Sequence, residues 1–178
     1  MSGEPSQRFA CLLMDPPWME RGGGRIKRGA DRHYPLVKTA DLPGVIWGSG
    51  VFRPAEHAHL WMWATANHLA DALWLIDALG FRYTTHACWF KTGAMGLGQY
   101  FRMQHELLLF ATRGRGYAVR TDARNLPSVI VAPRGRHSEK PVEAYQLIEA
   151  RSHGPRVELF ARRARPGWTV WGNEAPPS

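Results

Sequence analysis

Cysteine is nearly missing: Cys11 and Cys88 are the two in 178 residues. Each stands in an apolar run, so neither fits a zinc cluster or a disulfide framework; both are expected as buried thiols, and no metal is expected. No apolar run approaches the roughly 18 residues that a bilayer span needs, so no membrane partner is expected. Residues 1–9 lack the apolar core and small-residue cleavage site of a secretory signal, which makes the cytoplasm the expected location. Acidic residues are also scarce, 15 against 23 Lys and Arg, for a net charge of +8. That imbalance points to a polyanionic partner. No repeat and no domain boundary is visible, and the length suits a single domain, 1–178, without a large separate recognition domain.

What is present is a packed α/β pattern. The chain is 44% hydrophobic with 8 tryptophans. Residues 9–14 read as a buried strand, followed by a glycine-rich basic loop over 19–34. Residues 39–47 read as one short helix with Thr39 as its cap. A strand over 58–64 precedes a helix from Asn67, its expected cap, to Leu79, with Leu69, Ala72, Leu73 and Ile76 on one face and Gly80 as its stop. Strands follow over 81–90, 106–111 and 128–132. A helix opens at Lys140-Pro141, runs through Ala150 and closes at His153-Gly154, and strands over 157–160 and 169–171 end the series. Strands alternating with helices predict an α/β sandwich with a largely parallel sheet, whose ligands bind beyond the carboxyl ends of the strands.

Asp15-Pro16-Pro17-Trp18 stands where the first strand stops. Prolines cannot continue a ladder, and two in succession fix φ and stiffen the turn. A carboxylate (Asp15) and a backbone oxygen (Pro16) held there suit a weakly nucleophilic planar amine such as the N6 of adenine. Accepting its two N–H bonds would return electron density to nitrogen and orient it, while Trp18 offers a π-face to an extruded base. By itself the tetrapeptide reads equally well as a strand-ending turn with a core tryptophan.

The ordered pieces around it are more specific. Leu12-Leu13-Met14-Asp15-Pro16-Pro17-Trp18 is followed by His33-Tyr34-Pro35, Leu60-Trp61-Met62-Trp63-Ala64-Thr65, Gly80-Phe81-Arg82-Tyr83 and Trp89-Phe90-Lys91-Thr92. Then come His105-Glu106-Leu107-Leu108, Lys140-Pro141, Val157-Glu158-Leu159-Phe160-Ala161-Arg162, Trp168 and Gly172-Asn173. From about Leu12 to Asn173 the chain resembles the MT-A70 family of adenine N6-methyltransferases, in its compact prokaryote- or phage-type form.

The resemblance implies a Rossmann-like methyltransferase fold, a mostly parallel sheet flanked by helices, with permuted motif order: the catalytic strand first and the cofactor-binding strand, near 156–162, late. It implies S-adenosyl-L-methionine as methyl donor and S-adenosyl-L-homocysteine as product. Asp15 would lie between the donor's amino-acid end and the target amine, with Pro16, Pro17 and Trp18 completing the catalytic turn. Lys140, Glu158, Phe160, Arg162 and Asn173 match cofactor positions, and Tyr34 and Glu106 match positions near the target adenine. Simpler readings exist: Lys140 as a surface lysine, Glu106 as the partner of a nearby arginine, Phe160 as core. After Arg162 the chain departs from the family's Pro-His-Asn type turn with Arg163-Ala164-Arg165, so carry-over stops at Arg162.

The loop bearing Arg21, Arg25, Lys27, Arg28 and Arg32 could contact phosphates and close over a flipped adenine, or be a solvated loop. Arg113 and Arg115 are expected to add a phosphate contact on the same side. DNA is favoured over RNA as the polymer, because compact relatives of this type are DNA modifiers, and a homodimer would enlarge the footprint of so small an enzyme. The competing readings are an RNA methyltransferase, an inactive nucleic-acid-binding module of the same fold, and an amino-methyltransferase acting on a protein or small molecule.

Overall fold

The computed structural model describes residues 7–19, 36–96, 100–135 and 139–172. The first strand, β1 (Phe9–Met14), is buried at every position, as a strand covered on both faces must be. It lies inside a seven-stranded sheet with β2 (Pro54–Ala64), β3 (Arg82–Thr92), β4 (His105–Arg113), β5 (Val129–Pro133), β6 (Arg156–Leu159) and β7 (Trp168–Trp171). The order across the sheet is β5-β3-β4-β2-β1-β6-β7. β1 runs parallel to both β2 and β6, and β6 to β7, whereas β4 is antiparallel to both β2 and β3, and β3 is parallel to β5. Six strands therefore point one way and β4 alone points back, which is the largely parallel α/β sheet expected.

Period-2 alternation divides the core into two layers. Leu12, Met14, Leu60, Met62 and Leu109 pack on one face under α1 (Leu42–Gly48) and α2 (Leu69–Ala78). Cys11, Leu13, Trp61, Trp63, Trp89 and Leu108 pack on the other, against Ala144 and Ile148 of α3 (Val142–Arg151). The far end of α3 is anchored by Ser152, whose Oγ accepts from Trp61 Nε1 at 3.0 Å and lies 2.8 Å from His59 Nδ1. Because Gly116 O, 2.8 Å from His59 Nε2, can only accept, Nε2 carries the proton and Nδ1 accepts from Ser152. Burial pushes the His59 ring down to about 4, in keeping with a neutral imidazole. With its end held there, α3 starts at the opposite sheet edge, beside the C-termini of the parallel strands.

Several local expectations are corrected. Neither Thr39 nor Asn67 caps a helix: each lies within a 3-10 turn, Thr39–Asp41 or Ala66–His68, that leads into α1 or α2 without a side-chain cap. Leu73 is exposed, because the buried stripe of α2 runs through Ala72, Leu75 and Ile76 and Leu73 sits one 100° step past it. α3 ends at Arg151 rather than at His153-Gly154, since Ser152 turns into extended backbone. Cys88 is half-buried, on a strand near the sheet margin, while Cys11 is fully enclosed, its thiol pushed up to about 12 by burial. Gly80 does stop α2: it takes φ +77°, where a Cβ is unfavourable, and Gly80 N and Phe81 N donate to Asp77 O and Ile76 O.

Candidate active site

The reversal of β4 decides where the site lies. β1, β3 and β6 end at one edge of the sheet, and β4 begins there, so Asp15 after β1 and Glu106 at the start of β4 meet although 91 positions apart. The face is set by parity. Leu13 and Trp89 point to the α3 side, and so do Asp15 and Lys91, each two residues further on; Glu106 stands opposite Trp89 across the ladder. Lys140, just before α3, enters from above the same face.

These four side chains form an alternating row of charges. Lys140 Nζ lies 3.2 Å from Asp15 Oδ2 and 2.7 Å from Glu106 Oε2, and Lys91 Nζ bonds Glu106 Oε1. Tryptophans underlie both ammonium groups: Lys140 Nζ is 4.9 Å from the Trp63 ring centre and Lys91 Nζ 4.7 Å from that of Trp89. Burial by itself would raise the Glu106 carboxyl, but Lys140 and Lys91 outweigh it and hold the group below the usual carboxylate range. Burial likewise opposes the Lys140 charge, yet Asp15 and Glu106 keep it above the ordinary lysine value. Lys140 is thus no surface lysine, and Glu106 pairs with two lysines rather than an arginine. Asp15, with its side chain 27% exposed, is the most open of the four groups in the row.

The turn after β1 is closed by its own backbone: Trp18 N donates to Pro16 O at 2.8 Å and Val37 N to Pro17 O at 3.0 Å. Pro16 O keeps a second lone pair for another donor. Trp18 does not present an open face to a base. The turn carries it back over the α1/α2 layer, where it is 8% exposed and stacks on His68 with ring centres 5.6 Å apart. Among the described residues its Nε1 is buried without a hydrogen-bond partner.

The late strand supplies the neighbouring wall. Glu158 on β6 stands opposite Leu13 of β1, and Tyr145 of α3 donates its hydroxyl to Glu158 Oε1 at 2.9 Å. Burial pushes Glu158 up to about 7, with Tyr145 and Arg165 pulling it down and Asp15 adding to the rise. Arg165, in the departing segment, stacks its guanidinium 3.5 Å from the Tyr145 ring centre. Phe160 ends the strand at φ +61° and sets its ring edge-on to Trp171, 5.5 Å away; it is partly buried rather than pure core. Ala161 N donates to Trp171 O at 2.9 Å, and Arg162 follows, half-buried. Gly172 packs so closely here that a Cβ would fall 2.3 Å from Ala161 O.

Tyr34, Arg25, Lys27, Arg28 and Asn173 lie outside the described residues, as do Arg21 and Arg32. The expectation for Arg113 and Arg115 is overturned. β4 runs away from the site, so Arg113 at its end is about 24 Å from Glu106 at ~3.4 Å per residue, near the opposite sheet edge. Lys91, Trp63 and Arg165 stand in segments quoted from the sequence but were given no site role there, and Tyr145 was not singled out. Lys91 carried a readable signal, a lysine two residues after a buried tryptophan in a strand; the others depend on contacts between distant elements.

The residues fit a zwitterionic amino-acid donor. Asp15 and Lys140 offer one group for an ammonium and one for a carboxylate side by side, and Phe160 with Trp171 forms an apolar wall at the end of β6. A model of the MT-A70 family matches residues 9–174. The chain is 29% identical over 190 residues to the Type II methyltransferase M.MunI of Mycoplasma sp, covering 97% of this chain and 80% of that one. It is 25% identical over 182 residues to the human N(6)-adenosine-methyltransferase catalytic subunit METTL3, covering 94% of this chain but only 28% of that protein. A shorter match, 45% over 47 residues, is to the human N(6)-adenine-specific methyltransferase METTL4, covering 26% of this chain and 10% of the relative. With the family model spanning nearly the whole chain, this protein belongs to the MT-A70 family of methyltransferases.

Proposed function

We propose that this protein transfers a methyl group from S-adenosyl-L-methionine to the N6 amine of adenine in DNA, in the cytoplasm. The observation that carries this reading is the row Asp15, Lys140, Glu106 and Lys91 at the carboxyl edge of the sheet, headed by a proline-stiffened turn. When bound, the donor supplies a methyl group on a sulfonium, which needs no activation by a metal. The protein's own task is to orient the amine. Asp15 and the second lone pair of Pro16 O accept the two N–H bonds, which localises the nitrogen lone pair toward the methyl, and Asp15 takes the proton that N6 sheds as the N–C bond forms. Lys140 pairs with Asp15 and, with Lys91, keeps the Glu106 carboxyl ionised, and Glu106 faces the side where the adenine ring would lie.

The names of the relatives support adenine N6 as the acceptor, and the match over 80% of a Type II methyltransferase, against 28% of METTL3, supports DNA as the polymer. The test is transfer from labelled donor to matched single-stranded DNA, duplex DNA and RNA, with nucleoside mass spectrometry. The expected product is N6-methyladenine in DNA, lost in a folded Asp15→Ala variant. Transfer confined to RNA would move the substrate, N4-methylcytosine would move the base, and no transfer to any nucleic acid would leave a binding module.

A further inference from the structure

At the sheet edge opposite Asp15, the geometry points to a second nucleotide-binding site: the cavity between Arg8, Arg53 and Arg113, walled by Trp47, Phe52 and Pro54, receives a phosphate on its guanidinium groups and the attached base on Trp47. The cavity measures about 340 Å³, and among the described residues no carboxylate lines it. None of the three arginines forms an ion pair among the described residues, so three cations converge on one space without compensating charge. Two are already aimed. Arg8 Nη1 donates to Pro54 O at 3.4 Å and Arg53 Nε to Gly50 O at 2.7 Å, which anchors each guanidinium through a single N–H and leaves the remaining donors for an oxyanion.

The aromatic wall narrows the class of anion. Trp47 stands in the last turn of α1, is 50% exposed, and is held edge-on by the buried Phe52 ring at 4.7 Å. A braced, half-open indole beside guanidinium groups is the pairing that binds nucleotides without base selectivity, by stacking and phosphate contact together. Position separates this site from the target adenine. Arg113 is about 24 Å along β4 from Glu106, equivalent to about seven steps of a duplex at ~3.4 Å per base pair. The same chemistry is offered by a free nucleotide or by one residue of a strand that also passes the active site.

The test avoids adenine so that the target pocket is not filled. Inorganic phosphate, thymidine 5′-monophosphate and a twenty-residue oligothymidylate are titrated calorimetrically into the wild type and into Arg53→Gln/Arg113→Gln, and 4-thiothymidine analogues are photocrosslinked and mapped. The expected result is thymidylate binding tighter than phosphate, weakened at least tenfold in the double variant, with the cross-link at Trp47. If the oligomer binds through the same site, its log K against log salt slope falls by about 0.7, the share of one phosphate on a single strand, in the variant; if only the mononucleotide binds, the ligand is a free nucleotide. Equal affinity in variant and wild type, phosphate binding as tightly as thymidylate, or a cross-link elsewhere overturns the site. Should the double variant melt lower, Arg113→Gln alone repeats the test, since its guanidinium holds no hydrogen bond among the described residues. Methyl transfer to an adenine-containing trinucleotide, too short to reach both edges, stays unchanged, so loss of this site and loss of the proposed activity are separable.

Discussion

Lys140 stands closer to Glu106, at 2.7 Å, than to Asp15, at 3.2 Å, and so ties the carboxylate of the reversed strand to that of the proline-stiffened turn after β1. One buried ammonium serves two anions from elements remote in sequence. Replacing it by Met leaves Asp15 and Glu106 facing each other without a cation between them. Lys140→Met is expected to cost about 3 kcal/mol of stability, as loss of one partner from a buried pair does, and at least a hundredfold in methyl transfer. Chemical denaturation and single-turnover kinetics check this. Lys140→Arg should not restore the rate, because a planar fork does not fit a point-charge position over the Trp63 ring.

Glu106 gives a pH dependence of definite sign. Its folded value is depressed, so the stability it contributes is complete above the unfolded value near 4.5 and is lost as pH falls through the folded one. Glu106→Gln should therefore be less stable than wild type at pH 7, and the gap should close below pH 4.5. Melting temperatures from pH 3 to 8 read the difference; a gap that widens in acid refutes the assignment. Lys91→Met should narrow the gap at pH 7, since it removes one of the two cations that stabilise the anion.

Glu158 works in the opposite sense. Its value is raised to about 7 from 4.5, chiefly by burial, so the stability linked to its proton is complete below 4.5 and lost as pH rises through about 7. Glu158→Gln, which still accepts from Tyr145, should stabilise the fold at pH 8 by about 1–3 kcal/mol after allowance for its partial exposure, with no gain at pH 4. Urea titrations at the two pH values test it.

Gly172 is required by contact rather than by its backbone angle. A Cβ there would meet Ala161 O at 2.3 Å and Ala161 N at 2.7 Å, both backbone atoms with little room to move. Gly172→Ala is expected to separate the ends of β6 and β7, lower stability by about 2 kcal/mol and weaken binding of S-adenosyl-L-homocysteine, measured by calorimetry. Unchanged affinity would detach this contact from the donor site.

The strands and the turn that ends the first of them were legible in the sequence because they depend on local chemistry. The apolar run ending at Asp15-Pro16-Pro17 reads as a strand stopped at its carboxyl end, and Gly80 as the stop of a helix. Asp15, Glu106 and Lys140 were nameable through resemblance, but not their relationship, which rests on one topological fact: β4 runs against its neighbours. That reversal brings Glu106 to Asp15 and sends Arg113, eight residues beyond the start of β4, to the far edge and into a different cavity. Composition and periodicity determined the α/β class, the alternating core and the strand-end carboxylate, since these follow from each residue's immediate neighbours. Strand direction, the pairing of Lys140 with two carboxylates, and the burial of Trp18 against His68 were decided by tertiary structure, because each balances packing between segments dozens of residues apart, and no local pattern encodes that balance.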